Sequence, residues 1–294
     1  MRAVVLGAGG QLGSELTAEL ERRGVSVLAA SRRSLDITIP EAVEALISRH
    51  RPDWVFNTAA YNQVDLAERE PEKAMRVNGL AVRGVAVACQ KIGAALLHYS
   101  TDHVFDGLKQ EPYTEADPPA PPSAYGVSKL AGEHFARAYA ERAYVVRVAG
   151  VFGPAGRYTN RGNFVELVLH KAAAGEPLRV VEDYFATPTP AAALAVRSID
   201  LLEKAPPELY HLGGDKSLSW YEWGCRILRA AGLEADIQPT NHREYVTAAR
   251  RPRFASLSNA RAESCGIAAM PQLDDALRDY LERREQTPAP DAGV

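Results

Sequence analysis

Tyr125 and Lys129 stand four residues apart in "SAYGVSKLAGE", the stretch 123–133, a spacing that brings two side chains onto one face of a helix. A free phenol, with a pKa near ~10, is a poor proton source or sink at neutral pH. An ammonium beside it stabilises the phenolate, lowers that pKa and makes the tyrosine a usable acid or base. A surface pair holding a helix start would show the same spacing. The preceding "ADPPAPPS" admits no helix, and its prolines fix an extended loop that would deliver the helix start to a pocket rim.

Other stretches weigh toward chemistry. "GAGGQLG" sets Gly7, Gly10 and Gly13 between an apolar β-prone run and a helical pattern, with Gln11 and Leu12 completing the loop. Glycines there let backbone approach a pyrophosphate, and the helix start offers unpaired N–H groups. A second β-prone run ends in "SRRSLDIT". Ser31, Arg32 and Arg33 at that end suit a ribose 2′-phosphate better than a 2′-hydroxyl, which favours NADPH with NADH as the alternative. Asp36, followed by Ile37, is placed beside the adenine. "HYSTDHVFDG" puts Thr101 and Asp102 at the end of a fourth strand, where ligands sit in parallel sheets; alone, the two would read as a cap on the next turn. Asn78 is a polar residue on an apolar helix, either a satisfied buried amide or part of the cofactor pocket. Cys89 reads as core.

The elements that must position these groups alternate. "RAVVLGA", "VSVLAAS", "PDWVFNTAA", "AALLHYST" and "AYVVRVAGVFG" read as buried strands. Between them lie helical patterns: one with Leu12, Leu16 and Leu20 in register, one in "IPEAVEALISRH", a long one over 71–93 and one over 128–142. This rhythm predicts an α/β fold, a doubly wound parallel Rossmann-type sheet with a second, smaller, discontinuous substrate lobe. The expected bounds are 1–152 for the dinucleotide-binding domain, 153–285 mainly for the lobe and 286–294 for a disordered tail. A strand near 208–213 is expected to return to the sheet.

Composition sets the frame. With 34 basic and 37 acidic residues the net charge is -3, which gives no reason to expect nucleic acid or an anionic membrane as partner. Three cysteines lie far apart without a CxxC, and the seven histidines show no ligand spacing, so no catalytic metal is expected. The opening "MRAVVLGAGG" lacks a signal-peptide core, which makes the cytoplasm the expected compartment.

Taken together, "GAGGQLGSEL", "PDWVFNTAAYNQVDLAERE", "VNGLAV", "STDHVFDG", "YGVSKLAGE", "YHLGG" and "SWYEW" resemble the extended short-chain dehydrogenase/reductase superfamily. More narrowly, they resemble the dTDP-4-dehydrorhamnose reductase family. The resemblance implies NAD(P)H-dependent reduction of the 4-keto group of a nucleotide-linked 4-keto-6-deoxy sugar. Thr101 and Tyr125 would bond the keto oxygen, Tyr125 protonating it, while Lys129 binds the nicotinamide ribose. Ala59, Ala60, Tyr61 and Asn78 would line the cofactor, and Val64, Asp65, Asp102, His103 and Val104 the sugar. Some members form Mg²⁺-linked homodimers, and Glu15 matches one such ligand. A non-catalytic relative, the regulatory subunit of methionine adenosyltransferase, resembles the same branch.

The chain departs from the family pattern at several places. His103 stands where tyrosine is usual after "STD", and Gly150 where "RTSWVYG" has tryptophan. Tyr184 and Ala186 alter "DQxGxPT", and Ser258 replaces an aspartate after "RPxxSxL". The proton-handling residues are kept; the changes fall on the sugar side.

Overall fold

A computed structural model of the chain describes residues 1–158 and 162–286. The first half alternates: β1 (Arg2–Leu6), α1 (Gln11–Arg22), β2 (Ser26–Ala30), α2 (Pro40–His50), β3 (Trp54–Asn57), the short α3 (Val64–Ala67) and α4 (Pro71–Met75), α5 (Ala81–Ile92), β4 (Ala95–Thr101), α6 (Ala124–Tyr139) and β5 (Ala143–Val148). Then come β6 (Val151–Phe152), α7 (Phe164–Ala173), β7 (Leu178–Val181), β8 (Phe185–Ala186), β9 (Thr189–Pro190), α8 (Ala191–Lys204) and β10 (Leu209–His211). The chain closes with β11 (Leu218–Ser219), α9 (Trp220–Ala231), β12 (Ile237–Thr240), α10 (Ala260–Ser264) and α11 (Leu273–Gln286).

Six strands form one sheet in the order β10–β5–β4–β3–β1–β2, every pairing parallel. Neighbouring residues along each strand go to opposite layers. Ala3, Val5, Phe56 and Leu97 pack with Leu16 and Leu20 of α1 and Leu194 and Ile199 of α8. Val4, Leu6, Val55 and Leu96 pack with Val43 and Ile47 of α2 and Val82, Val85 and Cys89 of α5. Burial on both faces is why the strands read as unbroken apolar runs. Each such side chain contributes ~1.5–3 kcal/mol on leaving water. The strand order reverses between β1 and β3, so a crevice opens at their carboxyl ends.

Two elements differ from the sequence pattern in ways that matter for the site. The long helix over 71–93 is interrupted: Arg76–Leu80 makes a π-helical turn between α4 and α5. A single inserted residue widens such a turn and shifts the helix face, and here Asn78 is the residue carried inward, fully buried. Gly132 of α6 lies so close that a Cβ there would stand 2.2 Å from the Asn78 carbonyl oxygen. Helix α6 itself starts earlier than 128, because Ser123 caps it, its Oγ accepting the Gly126 N–H at 3.2 Å.

A separate apolar cluster of Phe152, Val168, Leu178, Trp223, Ile227 and Leu277 holds α7, α9 and α11 with the paired β7 and β12. Helix α8 does not join it but packs under the sheet with α1. Gln286, placed in the expected tail, closes α11, and 287–294 lie outside the described residues. Among the described residues no helix is long and apolar enough to cross a membrane.

Candidate active site

Tyr125, Lys129 and, one turn further, Glu133 lie along the buried face of α6. Tyr125 is 9% exposed and packs with Tyr61, Val64 and Ala249. The His103 ring meets it edge-on, with centroids 5.5 Å apart at 82°. Lys129 is 3% exposed, and its Nζ donates to the Tyr99 carbonyl at 2.5 Å. Burial lowers the Lys129 pKa from 10.5 to about 8, while the Glu133 carboxylate pulls it back up. Glu133 accepts from Ser100 Oγ at 2.5 Å and from Arg147 Nε and Nη2 at 2.9 and 2.7 Å. The Arg147 guanidinium also lies 5.0 Å from the Phe105 ring centre. Two buried cations therefore share one buried anion behind the phenol, and the surplus positive charge favours phenolate.

Thr101 is buried at the end of β4 and caps the short turn Asp102–Val104. Its Oγ1 donates to Asp102 Oδ1 at 2.9 Å and accepts the His103 N–H at 3.2 Å. Burial pushes the Asp102 carboxyl up to about 7. Once protonated, that carboxyl is a weaker acceptor, and the Thr101 hydroxyl is freer to donate elsewhere. Beside it opens a cavity of about 120 Å³ whose lining includes Val64, Asp102, His103, Tyr184, Trp220 and Arg251. Two residues expected at the sugar behave differently. Val104 has its side chain fully buried with Phe105, Tyr113 and Leu257, because the turn directs it into the core. Asp65 reaches across the cleft edge, accepting from Ala249 N at 3.1 Å and from Arg251 Nη1 and Nη2 at 3.0 and 2.5 Å.

The glycine loop meets the loop after β3 at the crevice. Gly7 has φ +81°, and a Cβ on it would stand 2.7 Å from Ala59 N; one on Gly13 would stand 2.4 Å from the Gly7 carbonyl oxygen. At Gly10 the same test gives 3.3 Å to that oxygen. Helix α1 begins with no side-chain cap and no acidic residue in its first turn. Backbone donors so left at a helix start suit an anion, and the set fits a dinucleotide pyrophosphate. Gln11 and Leu12 can offer it backbone only. Gln11 Oε1 is turned to Gly153 N at 3.0 Å and Asn163 Nδ2 at 2.8 Å, and Leu12 packs in the core.

At the end of β2, the Ser31 N–H and carbonyl are tied to the Ser34 hydroxyl, while Arg32 and Arg33 are exposed. Asp36 Oδ1 caps its own turn through Thr38 N and Oγ1 at 2.9 and 2.7 Å. Ile37, beside it, packs its side chain in the core with Leu35 and Val43. Ala59 and Ala60 lie on the crevice rim, half-buried and exposed. Asn78 takes the first of its two readings, a satisfied buried amide: it accepts the Tyr61 N–H at 2.8 Å and donates to the Tyr61 carbonyl at 2.8 Å and Ser128 Oγ at 3.0 Å. It holds the 59–61 loop to α6 instead of lining a pocket.

Glu15 does not fit a divalent cation. Arg283 Nη2 grips both its oxygens at 2.7 and 2.8 Å, and among the described residues no three His, Cys, Asp or Glu cluster as a metal site. The sequence reading passed over Glu133, Arg147, Trp220 and Arg251. Only Glu133 carried a local signal, standing four residues beyond Lys129.

A doubly wound sheet, a glycine cradle at its switch point and a buried Tyr–Lys pair on the following helix define an enzyme of the extended short-chain dehydrogenase/reductase class. Within that class, the chain matches the RmlD substrate binding domain over residues 1–286 and belongs to that family. It is 36% identical over 283 residues to the spore coat polysaccharide biosynthesis protein SpsK of Bacillus subtilis, covering 96% of this chain and 98% of that one. It is 37% identical over 285 residues to the dTDP-4-dehydrorhamnose reductase of Streptomyces griseus, covering 95% and 92%. The solved dTDP-4-dehydrorhamnose reductase of Bacillus anthracis, in complex with NADP, superposes with a TM-score of 0.91 at 33% identity, covering 96% of this chain and 99% of that one.

Proposed function

We propose that this chain reduces the 4-keto group of a nucleotide-linked 4-keto-6-deoxy sugar, dTDP-4-dehydrorhamnose to dTDP-L-rhamnose being the reaction its relatives favour. The observation that carries the reading is the Tyr125 phenol packed against Val64 and His103, which line the cleft, with Lys129 buried one helical turn along. Gly7, Gly10 and Gly13, with the first-turn N–H groups of α1, would hold the pyrophosphate of the cofactor. Exposed Arg32 and Arg33 favour a 2′-phosphate, hence NADPH. A reduced nicotinamide bound along this crevice supplies hydride to the carbonyl carbon.

The chain's own residues supply the rest. Tyr125 gives its proton to the keto oxygen as negative charge develops there, and Lys129 stabilises the phenolate left behind. Thr101 donates to the same oxygen when Asp102 releases its hydroxyl. Val64 and His103 exclude water around the reacting group, and the buried Asn78 keeps the 59–61 loop in register with α6.

The test is to mix the protein with NADPH and dTDP-4-dehydrorhamnose and follow loss of the reduced nicotinamide. Tyr125→Phe is expected to cut kcat by ~10²–10⁴ while leaving NADPH affinity within about twofold. A Tyr125→Phe enzyme at full rate, or a wild type that binds NADPH without oxidising it across keto sugars, would overturn the reading.

A further inference from the structure

Three of the positions where this chain departs from its family pattern lie around one residue, Trp220, or the strand that leads into it. Gly150, with φ +51°, lies under the Trp220 indole: a Cβ there would stand 3.5 Å from Trp220 Cη2 and 3.5 Å from Pro188 Cα. The indole therefore lies in contact range over Gly150. Tyr184 touches the same residue from the backbone side, its carbonyl accepting the Trp220 N–H at 3.1 Å. Ala186 pairs with Leu218 where β8 meets β11, which sets the strand leading into Trp220.

Trp220 is held in place by more than these. It is the first residue of α9, whose start is fixed by the reciprocal bonds of Ser219 and Glu222, 3.1 Å and 2.8 Å. The Phe164 ring meets it at 73° with centroids 4.9 Å apart, so the indole cannot swing freely. It is half-buried and lines the cavity that also contains Asp102 and His103. The other two tryptophans, Trp54 and Trp223, are buried away from that cavity.

We propose that Trp220 is the specificity-determining wall of this cleft, presenting an aromatic surface to the apolar C–H face of a hexose ring. The proposal rests on the reading of the site as a sugar-nucleotide pocket and deepens it. A flat aromatic side chain clamped by its neighbours recognises a pyranose through contact area at little conformational cost, leaving hydroxyl selection to polar groups such as Asp102 and Arg251.

The experiment uses the NADP⁺-loaded protein titrated with dTDP-L-rhamnose, read by tryptophan emission, alongside steady-state kinetics with the keto sugar. Wild-type emission is expected to change on adding the sugar nucleotide and to stay flat with dTDP alone. Trp220→Phe should abolish the change while NADPH affinity remains within about twofold. Trp220→Ala should raise KM for the sugar nucleotide roughly tenfold or more with a smaller effect on kcat. If Trp220→Ala fails to fold, Trp220→Phe, which preserves an aromatic ring against Phe164, still decides. The proposal is overturned if Trp220→Phe keeps the emission change, if dTDP alone produces it, or if KM is unmoved. A wild type whose emission responds but which never oxidises NADPH would overturn the reductase reading and leave the wall standing.

Discussion

Tyr125, Lys129 and Glu133 are set on one face of a single helix, whereas Tyr184, Trp220 and Arg251 reach the opposite side of the cleft from three separate segments. The inner wall is deeply buried, with Glu133 paired to Arg147 and Lys129 bonded to the Tyr99 carbonyl. The outer wall is half-exposed and held by strand ends, a helix cap and one cross-cleft ion pair. Proton transfer tolerates little misplacement between a phenol, an ammonium and a carbonyl, and one rigid helix supplies that tolerance. Sugar selection needs a shape, which loops can rebuild without disturbing the reaction. The departures at Gly150, Tyr184 and Ala186 fall on the outer wall, while the one at His103 lies where the two walls meet, against Tyr125 and in the cavity lining.

The largest expected effect lies inside. Glu133 and Arg147 form a two-bonded pair with side chains only 5% and 3% exposed, and Ser100 adds a third bond to the carboxylate. Glu133→Gln leaves Arg147 charged in the core with no counterion, a loss of ~3–5 kcal/mol. For a chain of this size that lowers Tm on the order of 10 °C. Glu133→Asp, which keeps the charge, should recover part of it. A thermal melt of Glu133→Gln within a degree or two of wild type would break the contrast between the walls.

Next in size is a pH dependence confined to the inner wall. With its folded pKa at about 8, against 10.5 ordinarily, Lys129 holds fewer protons folded than unfolded between those values. Stability therefore rises with pH across that window: the cost of burying the ammonium is full below pH 8 and fades toward 10.5. Activity runs the other way, since Tyr125 loses its cationic neighbour, and kcat should fall as pH rises through about 8. In Glu133→Asp the carboxylate stands farther off, and the falling limb should move to lower pH. A kcat profile flat across that region in both proteins would remove Lys129 from the tuning of Tyr125.

The same division explains how much could be read from the string. The parallel sheet, the glycine loop and the Tyr–Lys pair are local patterns: strand runs buried on both faces, a fixed glycine spacing, a helical interval of four. Asn78 was ambiguous because a buried amide and a pocket amide look alike in sequence; the π-helical turn that buries it is invisible to periodicity. The burial of Val104 and Ile37 is hidden for a related reason, since one residue's rotation in a turn decides between cleft and core. Trp220 and Arg251 owe their places to contacts across the whole chain; the Asp65–Arg251 bond joins residues 186 apart. Helix α11 carries Leu273, Leu277 and Tyr280 on its buried side, but its surrounding charges hide the stripe.

The smallest expected effect tests the outer wall directly. Asp65 and Arg251 are paired across the cleft edge with side chains 46% and 19% exposed, so solvent screens the charges and the pair contributes only ~0.2–1 kcal/mol. Asp65→Asn keeps an oxygen for the Ala249 N–H but removes the charge that draws in Arg251. The melt should move by no more than a few degrees. The clamp on segment 249–251 loosens, and because Arg251 lines the cavity, KM for the sugar nucleotide should rise about two- to fivefold with kcat unchanged. Raising ionic strength should reproduce part of that rise in the wild type, and the wild type and Asp65→Asn should differ less in KM at high salt than at low salt, since salt screens the pair only where it exists. A Tm loss in Asp65→Asn as large as that of Glu133→Gln would mean that the outer wall is as much a part of the folded core as the inner one, and that its sequence changes cannot be read as free variation in sugar selection.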